Sequence, residues 1–138
     1  MMVLVDTCIW SLALRRRGIM AHGAERREFE QLIRESRVQM VGAVRQELLS
    51  GIRVPRQFEV LRSHLQAFED LQLETEDYEI AAHYFNLCRE KGIQGSNTDF
   101  LLCAVAARRD MSIFTADNDF VRFARYLPIR LHIGDGNR

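Results

Sequence analysis

Lysine is almost missing from this chain: Lys91 is the only one, and every other cation at neutral pH is an arginine. A receiver domain needs a lysine at the end of a late strand, and Lys91 instead precedes Gly92 at a helix end, so that regulatory class is excluded. Arginine forks onto phosphates, but its preference over lysine is also a product of GC-rich coding and is not taken as a nucleic-acid signal. Net charge is zero, so gross charge announces no polyanionic partner. Cysteine is scarce: Cys8, Cys88 and Cys103 are odd in number and form no C-x-x-C pair. That argues against a disulfide framework and fits a reducing compartment. His22, His64, His83 and His132 lack any spacing suited to zinc. No apolar run approaches a membrane span, and no charged, apolar, small-residue leader opens the sequence, so a cytoplasmic address and no membrane partner are expected.

Prolines number only two, and there is no repeat, low-complexity tract or Pro/Gly-rich linker. One domain over residues 1–138 is therefore expected, long enough to bury its own core. Hydrophobic residues make up 47% and charged residues 28%, the balance of a globular rather than a disordered chain.

What is present alternates between short apolar runs and helical patterns. "MVLV" at 2–5 is a buried strand, followed by a helix from Asp6 to about Arg16. Residues 22–36 place Phe29, Leu32 and Ile33 on one face of an amphipathic helix. "VQMV" at 38–41 is a second strand, and the helix after it stops near Gly51. Pro55 opens a helix that carries Phe58, Leu61, Leu65 and Phe68 at helical spacing. A third strand is expected at "LQLE", 71–74, then a helix from Thr75 to Gly92, with an acidic first turn and a basic last turn. The segment 98–109 is apolar nearly all round and so a buried helix. A strand at 111–115, a helix at 117–127 and a strand at 129–133 complete the chain. The pattern is that of an α/β fold with a mostly parallel central sheet flanked by helices on both faces. Right-handed crossovers restrict the topology, but strand order is not legible.

In open parallel sheets ligands gather at the carboxyl ends of the strands. Asp6 and Asp117 both follow a strand, and Asp99 stands at the start of the buried helix. Glu47 falls between Ala43 and Val44 on one side and Ser50 and Gly51 on the other, away from Arg45 and Gln46. Each acid also has a local explanation. Asp6 and Asp117 can cap helices, Ser96-x-x-Asp99 matches a capping box, Glu47 can pair with an arginine, and Asp119 can complement a helix dipole. Taken together, clustered carboxylates raise one another's pKa unless a cation restores the balance. Hard oxygen donors without His or Cys point to Mg²⁺, with Mn²⁺ as a substitute, and to phosphoryl chemistry.

"VLVDTCIW", "RQELLSGIR", "GSNTDFLLCAVAARR" and "IFTADNDF" resemble, in order and over essentially the whole chain, the four acidic motifs of PIN domains. More narrowly they are similar to the VapC-type ribonuclease toxins of bacterial toxin–antitoxin pairs. The resemblance implies a single PIN-like domain and metal-dependent hydrolysis of RNA. Asp6, Glu47, Asp99 and Asp117 match the acidic quartet that is catalytic and holds the metal. Thr7 and Thr115 match hydroxyls that orient a carboxylate or water, and Asp119 matches an auxiliary acid. Cys8 departs from the Ser or Asn often found there, and a thiol is a weaker hydrogen-bond partner. The resemblance further implies a VapB-type antitoxin and a homodimer. The amphipathic helices at 22–36 and 55–69 are candidates for that surface or for core packing. Arg15, Arg16 and Arg17 are candidates for phosphate contact or a solvated helix end. Haloacid-dehalogenase-type phosphatases want a second acid where this chain has Cys8, which excludes them. On chemistry alone a nuclease for DNA, or for structured RNA other than transfer RNA, stays open; the serious alternative is a non-catalytic PIN-like module that binds RNA or protein. Loss of an acid would be its signature, and all four are present.

Overall fold

The computed structural model describes residues 1–14 and 23–134. The candidate phosphate contacts Arg15 to Arg17, the expected end of the first helix, and the first residue of the 22–36 helix lie outside them. Strand β1 (Val3–Val5) leads into helix α1 (Thr7–Leu14), and α2 (Gly23–Arg34) precedes β2 (Val38–Gln39). Helices α3 (Gly42–Leu49), α4 (Pro55–Leu65), α5 (Thr75–Glu90) and α6 (Asn97–Arg109) follow in succession. Strand β3 (Ser112–Phe114), helix α7 (Asp119–Phe123) and strand β4 (Arg130–Leu131) complete the described order.

The strands form one sheet in the order β2-β1-β3-β4, and every pairing is parallel. Val3, Leu4 and Val5 are all buried although successive side chains point to opposite faces, so helices cover both sides of β1. That is why the run is continuously apolar rather than alternating. The central position of β1 and β3 brings their carboxyl ends side by side, with Val5 opposite Phe114. The residues that follow them, Asp6 and Thr115, are therefore neighbours although 109 positions separate them.

Helix α6 is buried from Phe100 to Ala106, as its lack of a polar face requires. It packs antiparallel to α5: Arg108 and Arg109 at its end meet Asp77 in the first turn of α5. Gly51 and Gly92 adopt positive φ, 88° and 76°, just past α3 and α5, the left-handed stop expected of glycine there.

Two expectations are corrected. Residues 71–74 are not a strand: only an isolated bridge joins Asp70 to Met40, with Leu71 N–H donating to the Met40 carbonyl. The segment runs beside the β2 edge and leaves it without building a ladder. The helix expected over 117–127 is confined to Asp119–Phe123, because Asp117 and Asn118 are spent in the turn that leaves β3. Arg45 lies away from Glu47, as expected, and ties α3 to the end of α4. Its guanidinium donates to Asp70 Oδ1 (2.9 Å) and to the carbonyls of Leu65 and Phe68.

Candidate active site

Asp6, Glu47, Asp99 and Asp117 come from four different elements and line one cavity of about 940 Å³ above the carboxyl ends of β1 and β3. Asp6 is almost completely buried, 6% exposed, and is the most constrained. Its Oδ1 accepts the Thr7 N–H at 2.8 Å, and its backbone carbonyl accepts from the Ile9 N–H at 3.0 Å and the Trp10 N–H at 3.3 Å at the start of α1. Its Oδ2 accepts the Thr115 hydroxyl at 2.8 Å and the Cys8 thiol at 3.3 Å. Thr115 Oγ1 also receives the Asp117 N–H at 2.9 Å, so one hydroxyl fixes two acids.

Asp99 is held by the capping box the sequence suggested. Its N–H donates to Ser96 Oγ at 3.1 Å, and its Oδ2 accepts the Ser96 N–H at 3.0 Å. Both local duty and cavity placement hold for this residue. Glu47 is exposed at the rim of the cavity, and the Thr7 hydroxyl donates to its Oε1 at 2.7 Å. The two hydroxyls thus hold acids, while Cys8 makes more contacts than its chemistry promised. Besides Asp6, its Sγ accepts the Ala116 N–H at 3.3 Å and lies 3.5 Å from Thr115 Oγ1.

Asp119 does not line the cavity. Its N–H donates to Asp117 Oδ1 at 2.9 Å, and its side chain pairs with Arg122 at 2.9 Å on the surface. Its backbone supports the site while its carboxylate points elsewhere. Four polar lining residues were not read as part of the site from the sequence: Ser11, Gln46, Ser50 and Thr98. Helical spacing carries the signal for two of them, since Ser11 follows Thr7 by four residues and Ser50 follows Glu47 by three. Gln46 corrects the expectation that it faces away from Glu47.

Burial pushes the Asp6 carboxyl above its ordinary range, against the hydrogen bonds from Thr115, Cys8 and Thr7, and the charge of Asp117 adds to the rise. Asp99 is also raised, first by burial and then by the charges of Asp6 and Asp117, against its bonds to Ser96. The Cys8 thiol is pushed up by burial and by Asp6, which makes it a poor nucleophile.

No described cationic side chain lines the cavity, so among the described residues nothing offsets its negative charge. Among the described residues no three acidic, His or Cys side chains converge as a ready-made metal cage. Oxygen donors spread around an open, polar cavity suit Mg²⁺, which keeps several of its waters and takes only one or two carboxylates directly. The donor set therefore fits a hard divalent cation.

Several solved chains share the fold, among them these two. One is VapBC2 from Rickettsia felis bound to a DNA fragment from their promoter. It aligns with a TM-score of 0.72 and 18% identity over 96% of this chain and 98% of that one. The other is FitAcB from Neisseria gonorrhoeae, with a TM-score of 0.70 and 19% identity over 96% and 97% of the two chains. No curated protein sequence matches. The PIN domain family model matches residues 3–126, which span all four acids and every described strand but β4. The chain belongs to the PIN domain family.

Proposed function

We propose that this PIN domain is a metal-dependent ribonuclease that hydrolyses RNA phosphodiester bonds and serves as the toxin of a toxin–antitoxin pair. The observation that carries the reading is the convergence of Asp6, Glu47, Asp99 and Asp117 on one cavity free of described cations. Asp6 and Asp99, with Glu47 and Asp117, would hold Mg²⁺, for which Mn²⁺ can substitute. When bound, the cation polarises the phosphate and lowers the pKa of the attacking water.

The chain's own residues supply orientation. Thr115 and the Thr7 N–H fix both oxygens of Asp6, and Ser96 fixes Asp99 Oδ2. Thr7 holds Glu47 by Oε1, which leaves Oε2 to accept a hydrogen bond from water at the rim. Because water rather than the ribose 2′-hydroxyl is the nucleophile, the reaction needs no histidine pair, and no described histidine lines the cavity.

The likeness to VapBC2 and FitAcB supports a VapB-type antitoxin as partner; a homodimer acting in the cytoplasm follows from the resemblance of the sequence motifs alone. No described helix is long and apolar enough to cross a membrane.

The test is hydrolysis of total and transfer RNA by purified protein in Mg²⁺, Mn²⁺ or EDTA, beside Asp6→Asn and Asp99→Asn. Metal-dependent cutting, lost in both variants while they remain folded, is expected. Cutting that survives EDTA or both substitutions overturns the mechanism, and absence of cutting by antitoxin-free protein favours a binding module.

A further inference from the structure

The acid cavity opens sideways. Ser11 of α1 lines it and also lines a second cavity of about 850 Å³ between α1, α3 and α4. Leu14, Ile52 and Val60 give this groove an apolar floor. One stripe of α4 faces it: Arg56, Val60 and His64 follow at four-residue intervals, each step about 6 Å along the helix.

The charges of the two cavities are complementary in kind. The first is lined by four carboxylates and no described cation; the second is lined by Arg56 and by no carboxylate. Arg45, Arg62, Arg108, Arg109, Arg122 and Arg130 are each paired with an acid. Arg56 is exposed, and among the described residues no carboxylate meets it. A polyanion held at the acid cavity is repelled by its walls, so its flanking phosphates need a free guanidinium nearby. The adjoining groove offers one, and at this size it lies within the range of pockets that enclose small ligands, about 300–1,000 Å³.

We propose that the α1–α3–α4 groove is the subsite for the single-stranded RNA flanking the cleaved bond. Arg56 forks onto a phosphate, His64 donates a second hydrogen bond, and sugar and base faces lie on the apolar floor. The proposal rests on the ribonuclease reading for its substrate, yet binding can be measured without catalysis.

The experiment has two arms, with thermal melts to verify that each variant is folded. In the first, the Asp6→Asn protein, with and without Arg56→Ala, His64→Ala or Arg56→Lys, binds a fluorescent single-stranded RNA oligomer across a salt series. Arg56→Ala is expected to weaken binding about tenfold and to lower the salt slope by about 0.7, the value of one single-strand phosphate contact. His64→Ala is expected to weaken it less, and Arg56→Lys to recover part of the affinity and most of the slope. In the second arm, wild-type protein and Arg56→Ala cleave the same RNA in Mg²⁺. KM is expected to rise by a factor similar to the binding loss, with a much smaller change in kcat. Equal affinity and slope with and without Arg56→Ala overturn the proposal and leave the groove to a protein partner, as does failure of RNA to bind at all. Arg56-dependent binding without cleavage by wild type sustains the subsite and refutes the ribonuclease reading alone.

Discussion

The Thr7 hydroxyl donates to Glu47 Oε1 at 2.7 Å, joining the first turn of α1 to the middle of α3 across 40 residues. Glu47 is exposed and could sweep freely without it. Thr7→Val keeps the shape of the side chain and removes the donor. Because the pair is solvated, the loss in stability should stay near or below about 1 kcal/mol. Activity should fall by about 10–100-fold, the usual effect of freeing a side chain that supports a metal site. Thermal melts and single-turnover cleavage of RNA separate the two. A proportionate fall in both would mean that the bond serves the fold alone.

Asp6 and Asp99 link stability to pH and, on the proposed function, should link it to metal as well. Their carboxyls are raised in the folded chain, chiefly by burial. A raised folded pKa means that stability is lost as pH climbs from the unfolded value, about 3.9, through the folded one, and the cost persists at neutral pH. A divalent cation should offset it. At pH 7, Mg²⁺ at about ten times its dissociation constant should add roughly 1.4 kcal/mol, a shift of a few degrees in Tm. The increment should shrink as acid protonates the site and vanish in the Asp6→Asn, Asp99→Asn double variant, whose metal-free form should melt higher than wild type. Scanning calorimetry in EDTA and in Mg²⁺ at pH 5 and 7 reads all of this. A Tm shift that survives the double substitution would place the bound metal elsewhere.

Asp77 depends on pH in the opposite sense. It is fully buried in the first turn of α5. Its Oδ1 accepts from Arg108 and Arg109, each at 2.7 Å, and its Oδ2 from Arg109 at 3.0 Å and the Glu74 N–H at 2.7 Å. The Arg109 guanidinium, with the Glu74 N–H and Arg108, holds the carboxyl far below its usual range despite burial. With the folded value depressed, its contribution is complete above about pH 4 and is lost as pH falls from there toward the folded value. Asp77→Ala leaves two guanidiniums facing each other and should cost about 3–5 kcal/mol at pH 7. Urea titrations at pH 7 and pH 3 should show the gap to wild type narrowing in acid. An unchanged gap would mean that lost packing, not the ion pairs, is responsible.

Asp6, Asp99 and Asp117 were legible as candidate site acids because each carries a local signature, an acid at the end of an apolar run or a Ser96-x-x-Asp99 box, whereas Glu47 carries none. Their convergence was carried by the ordered motifs, since nothing local relates Glu47 to Asp6. The strand expected at 71–74 failed for the converse reason. L-Q-L-E alternates like a half-buried edge strand, but pairing is decided by where Arg45 anchors Asp70 and by the single bridge to Met40. Gln46 was misplaced because a wheel divides faces by polarity, and a polar cavity inverts that rule.

Gly95 supplies the last test, one of close approach rather than of backbone conformation. A Cβ there would lie 2.6 Å from Phe123 Cζ and 3.0 Å from Phe100 Cε2. These rings pack against each other with centroids 4.8 Å apart, and both are buried, so neither can swing aside cheaply. Gly95 also directly precedes Ser96, the cap that holds Asp99. Gly95→Ala should therefore destabilise by about 1–3 kcal/mol, as overpacking does, and shift the capping box. RNA cleavage should fall further than lost stability explains, and half-saturation with Mg²⁺ should need more metal. Adding Phe123→Leu removes the clashing ring atoms and should restore the metal dependence even though its own cavity keeps Tm low. If Gly95→Ala lowers Tm but leaves the Mg²⁺ requirement unchanged, the loop absorbs the methyl without moving Asp99, and the glycine serves packing alone.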